Sequence, residues 1–283
     1  MAAPYTQQHH QECYFDTCDP VLVRVEKPKN LQIIPFEYSQ CNIPGPGADT
    51  TDFLIKFCGC NCVSSCDSTS CSCLQNYGTN YDKNGLFLPH DSDGMSIPVI
   101  ECNSSCTCSQ SCKNRQVQHG IQIPLCVYWT YTKGWGLKTL EDIPNRKFVC
   151  EYAGEIINHD EAKKRCKKLN STCDNYLLAV LEHLSDGQIV ETYVDPRLKG
   201  NVGRFINHSC EPNLKMVPIR VENTIPKFCL FAQRNILAGE ELTFDYSGDV
   251  NTTSDVGDSN RKKCLCNSDK CGGFLPFCHT LFD

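Results

Sequence analysis

The sequence of 283 residues lacks the features that mark several large classes of protein. It contains no uninterrupted apolar run near the ~20 residues that a membrane-spanning helix needs. Its first residues, MAAPYTQQHHQEC, show no basic region followed by an apolar core, so we expect no secretory signal. With 18 glycines and 15 prolines, it is neither collagen-like nor a low-complexity repeat. We therefore expect a globular chain without a membrane partner.

Basic charge is also scarce. The chain has 27 Lys and Arg against 33 Asp and Glu, which gives a formal net charge of -6. Proteins that bind duplex DNA usually carry an excess of basic residues on one surface. The charge balance therefore predicts no strong intrinsic DNA binding, and it favours a basic partner.

Cysteine is the residue in excess, with 23 in the chain. Three groups are closely spaced, and they read CGCNCVSSCDSTSCSC (58–73), CNSSCTCSQSC (102–112) and CLCNSDKC (264–271). Cys-x-Cys pairs bring two sulfurs close to one point, which suits a tetrahedral zinc ion. Disulfides are disfavoured because the count is odd, the chain is long and no secretory signal is visible.

Nine thiols of the first two groups fit three zinc ions. Three tetrahedral ions need twelve ligand positions, and nine cysteines supply these if six bind one ion and three bridge two. The nine are Cys60, Cys62, Cys66, Cys71, Cys73, Cys102, Cys106, Cys108 and Cys112. Cys58 has no ligand position and is predicted to be a free thiol. The third group, Cys264, Cys266 and Cys271, offers three ligands and needs a fourth.

The remainder of the chain predicts a mainly β fold. Between residues 119 and 247, the short runs PLCVYWT, KFVCEYA, ETYVDP, NLKMVPIRV, KFCLFAQ and ELTFDY are separated by turn residues. VLVRVEK (21–27) predicts a further strand, HDEAKKRCKKLN (159–170) predicts a helix, and the stretch between Cys73 and Cys102 predicts a loop. The alternating βαβ units and the Gly-rich first turn of a doubly wound α/β sheet are missing.

Six features, in order along residues 55–277, resemble those of SET-domain protein lysine methyltransferases. NVGRFINHSCEPNL (201–214) and GEELTFDY (239–246) resemble the two defining motifs, and KGWGL (133–137) and EYAGE (151–155) match two more. The nine-cysteine pattern resembles the pre-SET module, and Cys-x-Cys-x4-Cys the post-SET module. EYAGEII and FLPF are most similar to the branch of the family in which the methyltransferase is fused to a mariner transposase.

The resemblance implies the SET fold, in which small β-sheets surround a threaded C-terminal segment. It divides the chain into an N-terminal segment (1–54), a pre-SET module with three zinc ions (55–118), a SET catalytic domain (119–247) and a post-SET module (248–283). In the post-SET module, Cys210 would complete the ligands of a fourth zinc ion. Because Cys210 follows His208 by two residues, that ion would anchor the wall of the active site.

The resemblance also implies transfer of a methyl group from S-adenosylmethionine to a lysine amine. Tyr246 is then the catalytic tyrosine, and Tyr152 lines the channel for the lysine. Phe244 stands where the family tunes the product, and its lack of a hydroxyl predicts di- or trimethylation. The implied cofactor contacts are Lys133, Gly134, Trp135, Tyr176, Arg204, Asn207, His208 and Phe274.

The implied substrate is the tail of histone H3, at lysine thirty-six or lysine nine, with chromatin as partner and the nucleus and chromosome as location. An acidic enzyme suits a basic histone tail. Two alternatives stay open: a non-catalytic, zinc-stabilised module that binds chromatin, and a methyltransferase of non-histone proteins. Tyr246, Asn207 and His208 argue against the first, because a module that only binds need not keep them.

Metal analysis tests the interpretation of the cysteines. We expect about four zinc ions per chain, since thirteen cysteines are assigned as zinc ligands. The measurement is elemental analysis of the purified protein, with a thiol titration under denaturing conditions as its control. A chain with no zinc and with paired cysteines would contradict the prediction.

Overall fold

The computed structural model describes residues 10–15, 17, 19–89, 91–92, 95–96, 98–168, 175–183, 187–247, 262–276 and 281. The isolated cysteines Cys18, Cys173 and Cys278 and the polar stretch 248–261 lie outside these ranges. Within them, two α-helices stand among many short strands. None of the helices in the described part of the chain has the length and apolar character needed to cross a membrane.

Most of the secondary-structure elements are short strands. The strands are β1 (His10–Tyr14), β2 (Arg24–Pro28), β3 (Glu37–Tyr38), β4 (Ile43–Pro44), β5 (Asp91–Ser92), β6 (Met95–Ser96), β7 (Val99–Ile100), β8 (Leu125–Trp129), β9 (Trp135–Thr139), β10 (Phe148–Glu151), β11 (Gly154–Ile157), β12 (Leu178–His183), β13 (Ile189–Gly200), β14 (Asn207–His208), β15 (Leu214–Arg220), β16 (Lys227–Ala232) and β17 (Thr243–Phe244). The helices are α1 (Ser72–Tyr77), α2 (His159–Lys167) and the short 3₁₀ helices Val117–His119 and Val202–Phe205.

Three small sheets and one short hairpin organise these strands. One sheet has the order β1-β2-β8-β9, a second β12-β13-β11-β4 with β3 beside β13, and a third β10-β16-β15-β17-β14 with β7 beside β15. In the third sheet, β17 lies between β14 and β15 and runs parallel to both. The C-terminal end of this region is therefore threaded between two earlier segments. The prediction of a mainly β, SET-like fold with few helices is confirmed.

The hydrophobic pattern explains the central strands. In β16 every residue after Lys227 is buried, because the strand is covered on both faces and flanked by β10 and β15. Helix α2 begins at an N-cap, Asn158, whose side chain accepts a hydrogen bond from the backbone N–H of Glu161 at 2.9 Å. Its acidic first turn and basic last turn suit the helix dipole.

The stretch between Cys73 and Cys102 differs from the predicted loop. Helix α1 runs into it as far as Tyr77, and β7 pairs with β15 before Cys102. Tertiary contacts impose both elements: the helix contains Cys73 and buries Leu74 against the cysteine cluster. The predicted strand ELTFDY is shorter than expected: Thr243 and Phe244 form β17, and of these Phe244 pairs on both sides, with His208 and Leu214.

The main core connects the sheets with the N-terminal segment. Tyr152, Ile206 and Phe244 belong to it and are almost fully buried. Phe15 and Phe36 pack on Phe205, with ring centroids 5.9 Å away in each case. The N-terminal segment thus supports the turn from which the strand Asn207–His208 begins.

Candidate active site and zinc centres

Three aromatic side chains predicted to be catalytic form one cluster. The ring centroid of Phe244 lies 5.8 Å from that of Tyr152 and 4.7 Å from that of Tyr246. The His208 ring packs edge-on against Tyr246 at 5.3 Å. The structure therefore brings together residues from EYAGE, NHSC and GEELTFDY.

Strand pairing is the cause of this convergence. Asn207 pairs with Thr243 and His208 with Phe244 in the parallel register of β14 and β17. The backbone N–H of Tyr246 donates a hydrogen bond to Nδ1 of His208 at 3.2 Å. This contact fixes the imidazole orientation relative to the tyrosine.

The two tyrosine hydroxyls each have a defined partner. Tyr246 donates to the carbonyl oxygen of Ile206 at 2.7 Å, and Tyr152 donates to the carbonyl oxygen of Tyr176 at 2.5 Å. Burial raises the pKa of Tyr152 well above its usual value. Burial also lowers the pKa of His208, and the nearby Asp245 opposes this only in part. Tyr152 and His208 are therefore neutral at physiological pH.

Arg204 lies beside the aromatic cluster and contacts further aromatic side chains. Its guanidinium carbon lies 4.2 Å from the ring centroid of Tyr176 and 4.4 Å from that of Phe36. Burial lowers the pKa of Arg204. Arg204 thus joins the N-terminal segment, the 3₁₀ helix before β14 and the predicted cofactor contact Tyr176.

The KGWGL segment begins at the end of the turn after β8 and continues into β9, which starts at Trp135. Gly134 has a φ of +79°, a conformation that glycine adopts without strain. A Cβ at Gly136 would lie 3.3 Å from Nδ2 of Asn207, so the glycine allows this backbone to approach the asparagine. Trp135 packs edge-on against Trp129 and, at 6.4 Å, against Phe205. The predicted residues of this turn therefore lie beside Asn207.

Glu241 is a residue that the sequence interpretation did not single out. Its carboxylate accepts a hydrogen bond from Nδ2 of Asn207 at 3.0 Å and forms an ion pair with Lys133. The same Nδ2 also donates to the carbonyl oxygen of Trp135 at 3.1 Å. Glu241 thus sets the orientation of Asn207 and holds the ammonium group of Lys133. Its position in the GEELTFDY motif, directly after Glu240, is the sequence feature that could have identified it.

The C-terminal cysteines meet Cys210 as predicted. The sulfurs of Cys210, Cys264, Cys266 and Cys271 all lie within 4.8 Å of one another. The thiol of Cys210 also lies 3.3 Å from Nε2 of His208. Phe274 forms a β-bridge with Lys263, the residue before Cys264. The four cysteines therefore connect the segment that contains Phe274 with Cys210, which lies beside His208.

The nine pre-SET cysteines form one cluster, and Cys58 is exposed outside it. Four overlapping sets have sulfurs within 4.8 Å of one another. The sulfur of Cys66 lies 3.6 Å from that of Cys60 and 3.6 Å from that of Cys102, and the sulfurs of Cys73 and Cys106 are 3.7 Å apart. Four ligands at ~2.3 Å around tetrahedral zinc have sulfurs about 3.8 Å apart, so the cluster fits zinc.

The sets overlap, so some cysteines can bridge two ions. Five cysteines belong to more than one set: Cys60, Cys66, Cys71, Cys102 and Cys108. We propose Cys60, Cys66 and Cys102 as the bridges, because the sulfur of Cys66 lies 3.6 Å from each of the other two. Three ions placed between these sulfurs would have the ligand sets Cys60/Cys62/Cys66/Cys71, Cys66/Cys102/Cys108/Cys112 and Cys60/Cys73/Cys102/Cys106. This arrangement uses nine thiols for three ions, the stoichiometry expected from the sequence.

Contacts among the clustered thiols shift their pKa values in both directions. Hydrogen bonds with Cys102 lower the pKa of Cys73 to about 6 and that of Cys112 to about 4. Burial instead raises the pKa of the isolated Cys150 and Cys229. Burial likewise raises the pKa of the clustered Cys62 to about 11 and that of Cys106 to about 12. The spacing of the sulfurs, and not the acidity of single thiols, therefore indicates zinc.

Comparison with protein families matches two parts of the chain. Residues 134–247 match the SET domain, and residues 16–115 match the Pre-SET motif. The four-part division of the chain overlaps these ranges, and its exact boundaries stay a prediction. Together the matches include every predicted catalytic residue and the nine-cysteine cluster.

Comparison with curated proteins finds histone-lysine N-methyltransferases. The chain is 46% identical over 257 residues to the mouse enzyme SETMAR, covering 88% of this chain and 83% of that protein. It is 45% identical over 257 residues to human SETMAR, again over 88% of this chain. It spans only 37% of the length of the human protein. The predicted similarity to the SET–mariner branch is confirmed.

Comparison with solved structures finds the same fold. The methyltransferase domain of human SETMAR superposes with a TM-score of 0.79 at 41% identity, covering 93% of this chain and 97% of that one. Arabidopsis thaliana SUVH6, solved in complex with SAM, superposes with a TM-score of 0.76 at 28% identity, covering 96% of this chain and 57% of that one.

Because Glu241 contacts Asn207 and Lys133, two of the predicted cofactor contacts, we expect its loss to weaken cofactor binding. Replacing Glu241 with Gln keeps an acceptor for Asn207 but removes the ion pair with Lys133. We expect about threefold to tenfold weaker binding of S-adenosylhomocysteine, measured by calorimetry.

The matched control is the neighbouring Glu240→Gln. Glu240 accepts from the exposed Arg234 and from Asn213 and does not contact Asn207. This variant is expected to bind the cofactor product with unchanged affinity. Equal affinities for both variants and the wild type would contradict the role of Glu241.

Proposed function

Because the chain belongs to the SET-domain histone-lysine N-methyltransferases with a Pre-SET motif, we propose that it methylates a lysine of the histone H3 tail. The methyl donor is S-adenosylmethionine. The observation that carries the proposal is the cluster of Tyr152, Phe244 and Tyr246 beside Asn207 and His208. A binding-only module has no need for this combination.

The aromatic cluster supplies what the reaction requires of the lysine. A lysine of pKa ~10.4 is only about 0.1% neutral near pH 7.4, a cost of roughly 4 kcal/mol for a nucleophile that must be uncharged. An apolar channel lowers that pKa by desolvation. Phe244 is 2% exposed and Tyr152 is 5% exposed, and Tyr152 stays an uncharged phenol. The channel walls therefore favour the neutral amine.

Tyr246 is proposed to orient the reacting groups. Its hydroxyl donates to the carbonyl oxygen of Ile206, which fixes the position of the phenolic oxygen, and a phenolic oxygen can accept as well as donate. In that position the oxygen can accept a hydrogen bond from the lysine amine and align it for in-line attack. His208 holds the Tyr246 backbone through Nδ1.

The wall beside this cluster fits the methyl donor. Oδ1 of Asn207 receives no hydrogen bond from the described residues, while its Nδ2 is held by Trp135 and Glu241. A carbonyl oxygen fixed in this way can accept from the ammonium group of an amino-acid moiety. We propose that the cofactor is held by Lys133, Gly134, Trp135, Tyr176, Arg204, Asn207, His208 and Phe274. When bound, S-adenosylmethionine supplies an electrophilic methyl group on a positive sulfur.

The zinc ions are proposed to hold this site together. The ion bound by Cys210, Cys264, Cys266 and Cys271 would join the C-terminal segment to the residue two positions after His208. The three pre-SET ions would replace a hydrophobic core in residues 60–112. All thirteen predicted cysteine ligands would take part in these two centres.

The product is proposed to be di- or trimethyllysine. Phe244 lies between Tyr152 and Tyr246 and presents no hydroxyl group there. The space that a hydroxyl and its water would occupy is then open to the methylated amine. The target lysine of H3 is proposed to be thirty-six or nine, in chromatin and therefore in the nucleus. The acidic net charge of -6 suits the basic tail.

Mass spectrometry of H3 incubated with enzyme and S-adenosylmethionine tests the activity. We expect methylation at lysine thirty-six or nine, and at least a 100-fold lower kcat for Tyr246→Phe, because one positioned oxygen is lost at the reacting centre. Affinity for S-adenosylhomocysteine should be retained by the variant.

The control is Tyr14→Phe, since Tyr14 is 60% exposed on β1. Full activity of Tyr246→Phe would refute the proposed role of Tyr246. Methylation of other proteins but not of H3 would favour a non-histone substrate, and the absence of any methyl transfer would favour a chromatin-binding module.

Replacement of Phe244 by Tyr tests the product state. The added hydroxyl would fill space beside the amine, so we expect the products to shift from di- and trimethyllysine to monomethyllysine. The measurement is the product distribution over time by peptide mass spectrometry. Phe87→Tyr, a change in a separate buried cluster, should leave the distribution unchanged. An unaltered distribution for Phe244→Tyr would contradict the prediction.

A further inference from the structure

Arg115 is the largest of the fully buried side chains, with 1% of its surface exposed. It lies three residues after the last cysteine of the pre-SET cluster and takes no part in the active site. Its Nη1 donates to Oε1 of Gln118 at 2.8 Å and to the carbonyl oxygen of Cys102 at 3.4 Å. Its Nη2 donates to the carbonyl oxygen of Asn103 at 2.9 Å and to the sulfur of Cys108 at 3.4 Å.

A buried guanidinium needs a negative partner, because an uncompensated charge inside a protein is strongly unfavourable. Among the described residues, no carboxylate forms an ion pair with Arg115. The buried Glu101 is reached only through Gln118, which donates to it at 2.8 Å. Glu101 is itself occupied by Tyr81 and by the backbone N–H groups of residues 116 and 117.

The cysteine cluster provides the missing negative charge. Nine thiolates with three Zn²⁺ ions carry a net charge of about -3. Seven of the nine cysteines are buried, so water screens this charge poorly. Other recorded donors to the cluster are neutral: the backbone N–H groups of Cys60 and Asn103 donate to Cys106, and the side chain of Asn114 donates to Cys102. Among the described residues, Arg115 is the charged side chain that donates a hydrogen bond to the cluster.

We propose that Arg115 is the buried counter-ion of the pre-SET zinc–thiolate cluster and that it slows the loss of zinc from it. Hydrogen bonds to metal-bound thiolates stabilise the bound state, and loss of such a partner typically costs about 10- to 100-fold in metal affinity. The inference depends on zinc binding by the nine cysteines and not on methyl transfer.

Zinc retention under challenge by a chelator tests this role. Wild-type protein and the variants Arg115→Met and Arg115→Lys are exposed to excess EDTA, and native mass spectrometry counts the ions retained per chain over time. We expect Arg115→Met to release three ions at least tenfold faster than the wild type, because it keeps the bulk but loses the charge. Arg115→Lys keeps the charge without the planar fork of donors, so its rate should be intermediate. The fourth ion, at Cys210, should leave at the wild-type rate.

The matched control is Arg165→Met. Arg165 is also shielded from water, but it pairs with Glu155, Glu161 and Asp195, away from the cysteines. Its loss should leave zinc release unchanged. A rate for Arg115→Met within twofold of the wild type, or equal acceleration by Arg165→Met, would overturn the proposal. If Arg115→Met does not fold, Arg115→Gln, which keeps a neutral donor without the charge, takes its place, and a rate within twofold of the wild type has the same meaning. A wild type that holds no zinc in residues 60–112 would remove the basis of the proposal, whether or not the enzyme is active.

Discussion

The parallel pairing of β14 with β17 is the contact on which the active site depends. It places Phe244 beside His208 and Thr243 beside Asn207, although these segments are far apart in the chain. On the other side of β17, Phe244 pairs with Leu214 of β15. A few backbone hydrogen bonds thus hold three segments together. Their register determines where the aromatic cluster, the Tyr246 hydroxyl and the residues proposed to hold the cofactor lie.

Neutrality is the second property that this packing creates. Burial keeps the Tyr152 phenol and the His208 imidazole uncharged. Lys133 and Glu241 pair with each other beside Asn207, and the buried Arg204 contacts Tyr176 and Phe36. The aromatic cluster proposed to line the lysine channel is therefore uncharged, whereas the residues proposed to hold the cofactor include charged groups. This separation suits a reaction in which a neutral amine attacks a positively charged donor.

The cysteines solve a different problem. Among the described residues, Leu74 is the one large apolar side chain packed within the cysteine cluster, whereas Tyr81, Phe87 and Val99 pack in a separate cluster with residues of the SET region. Metal–thiolate bonds can supply the stability that such a segment lacks. They also concentrate negative charge, and Arg115 and several N–H donors meet that charge from the protein side. Through Gln118 and Glu101 the same network reaches the 3₁₀ helix Val117–His119, which contacts strand β10 of the SET region.

The motifs by themselves determined the family, the set of thirteen clustered cysteines and the candidate residues Tyr152, Asn207, His208, Phe244 and Tyr246, because residue types at fixed spacing encode local chemistry. The spacing also predicted the central strands, whose apolar runs are long enough to specify burial. Helix α1 and the two-residue strands were not predictable, since only contacts with distant segments stabilise elements so short. Only the tertiary structure decided which sulfurs lie within reach of one ion, that Glu241 orients Asn207 and that Arg115 faces the cysteines. Each of these depends on side chains from separate parts of the chain meeting in a buried space, where the energy of a charge or a donor is set by its neighbours rather than by its position in the sequence.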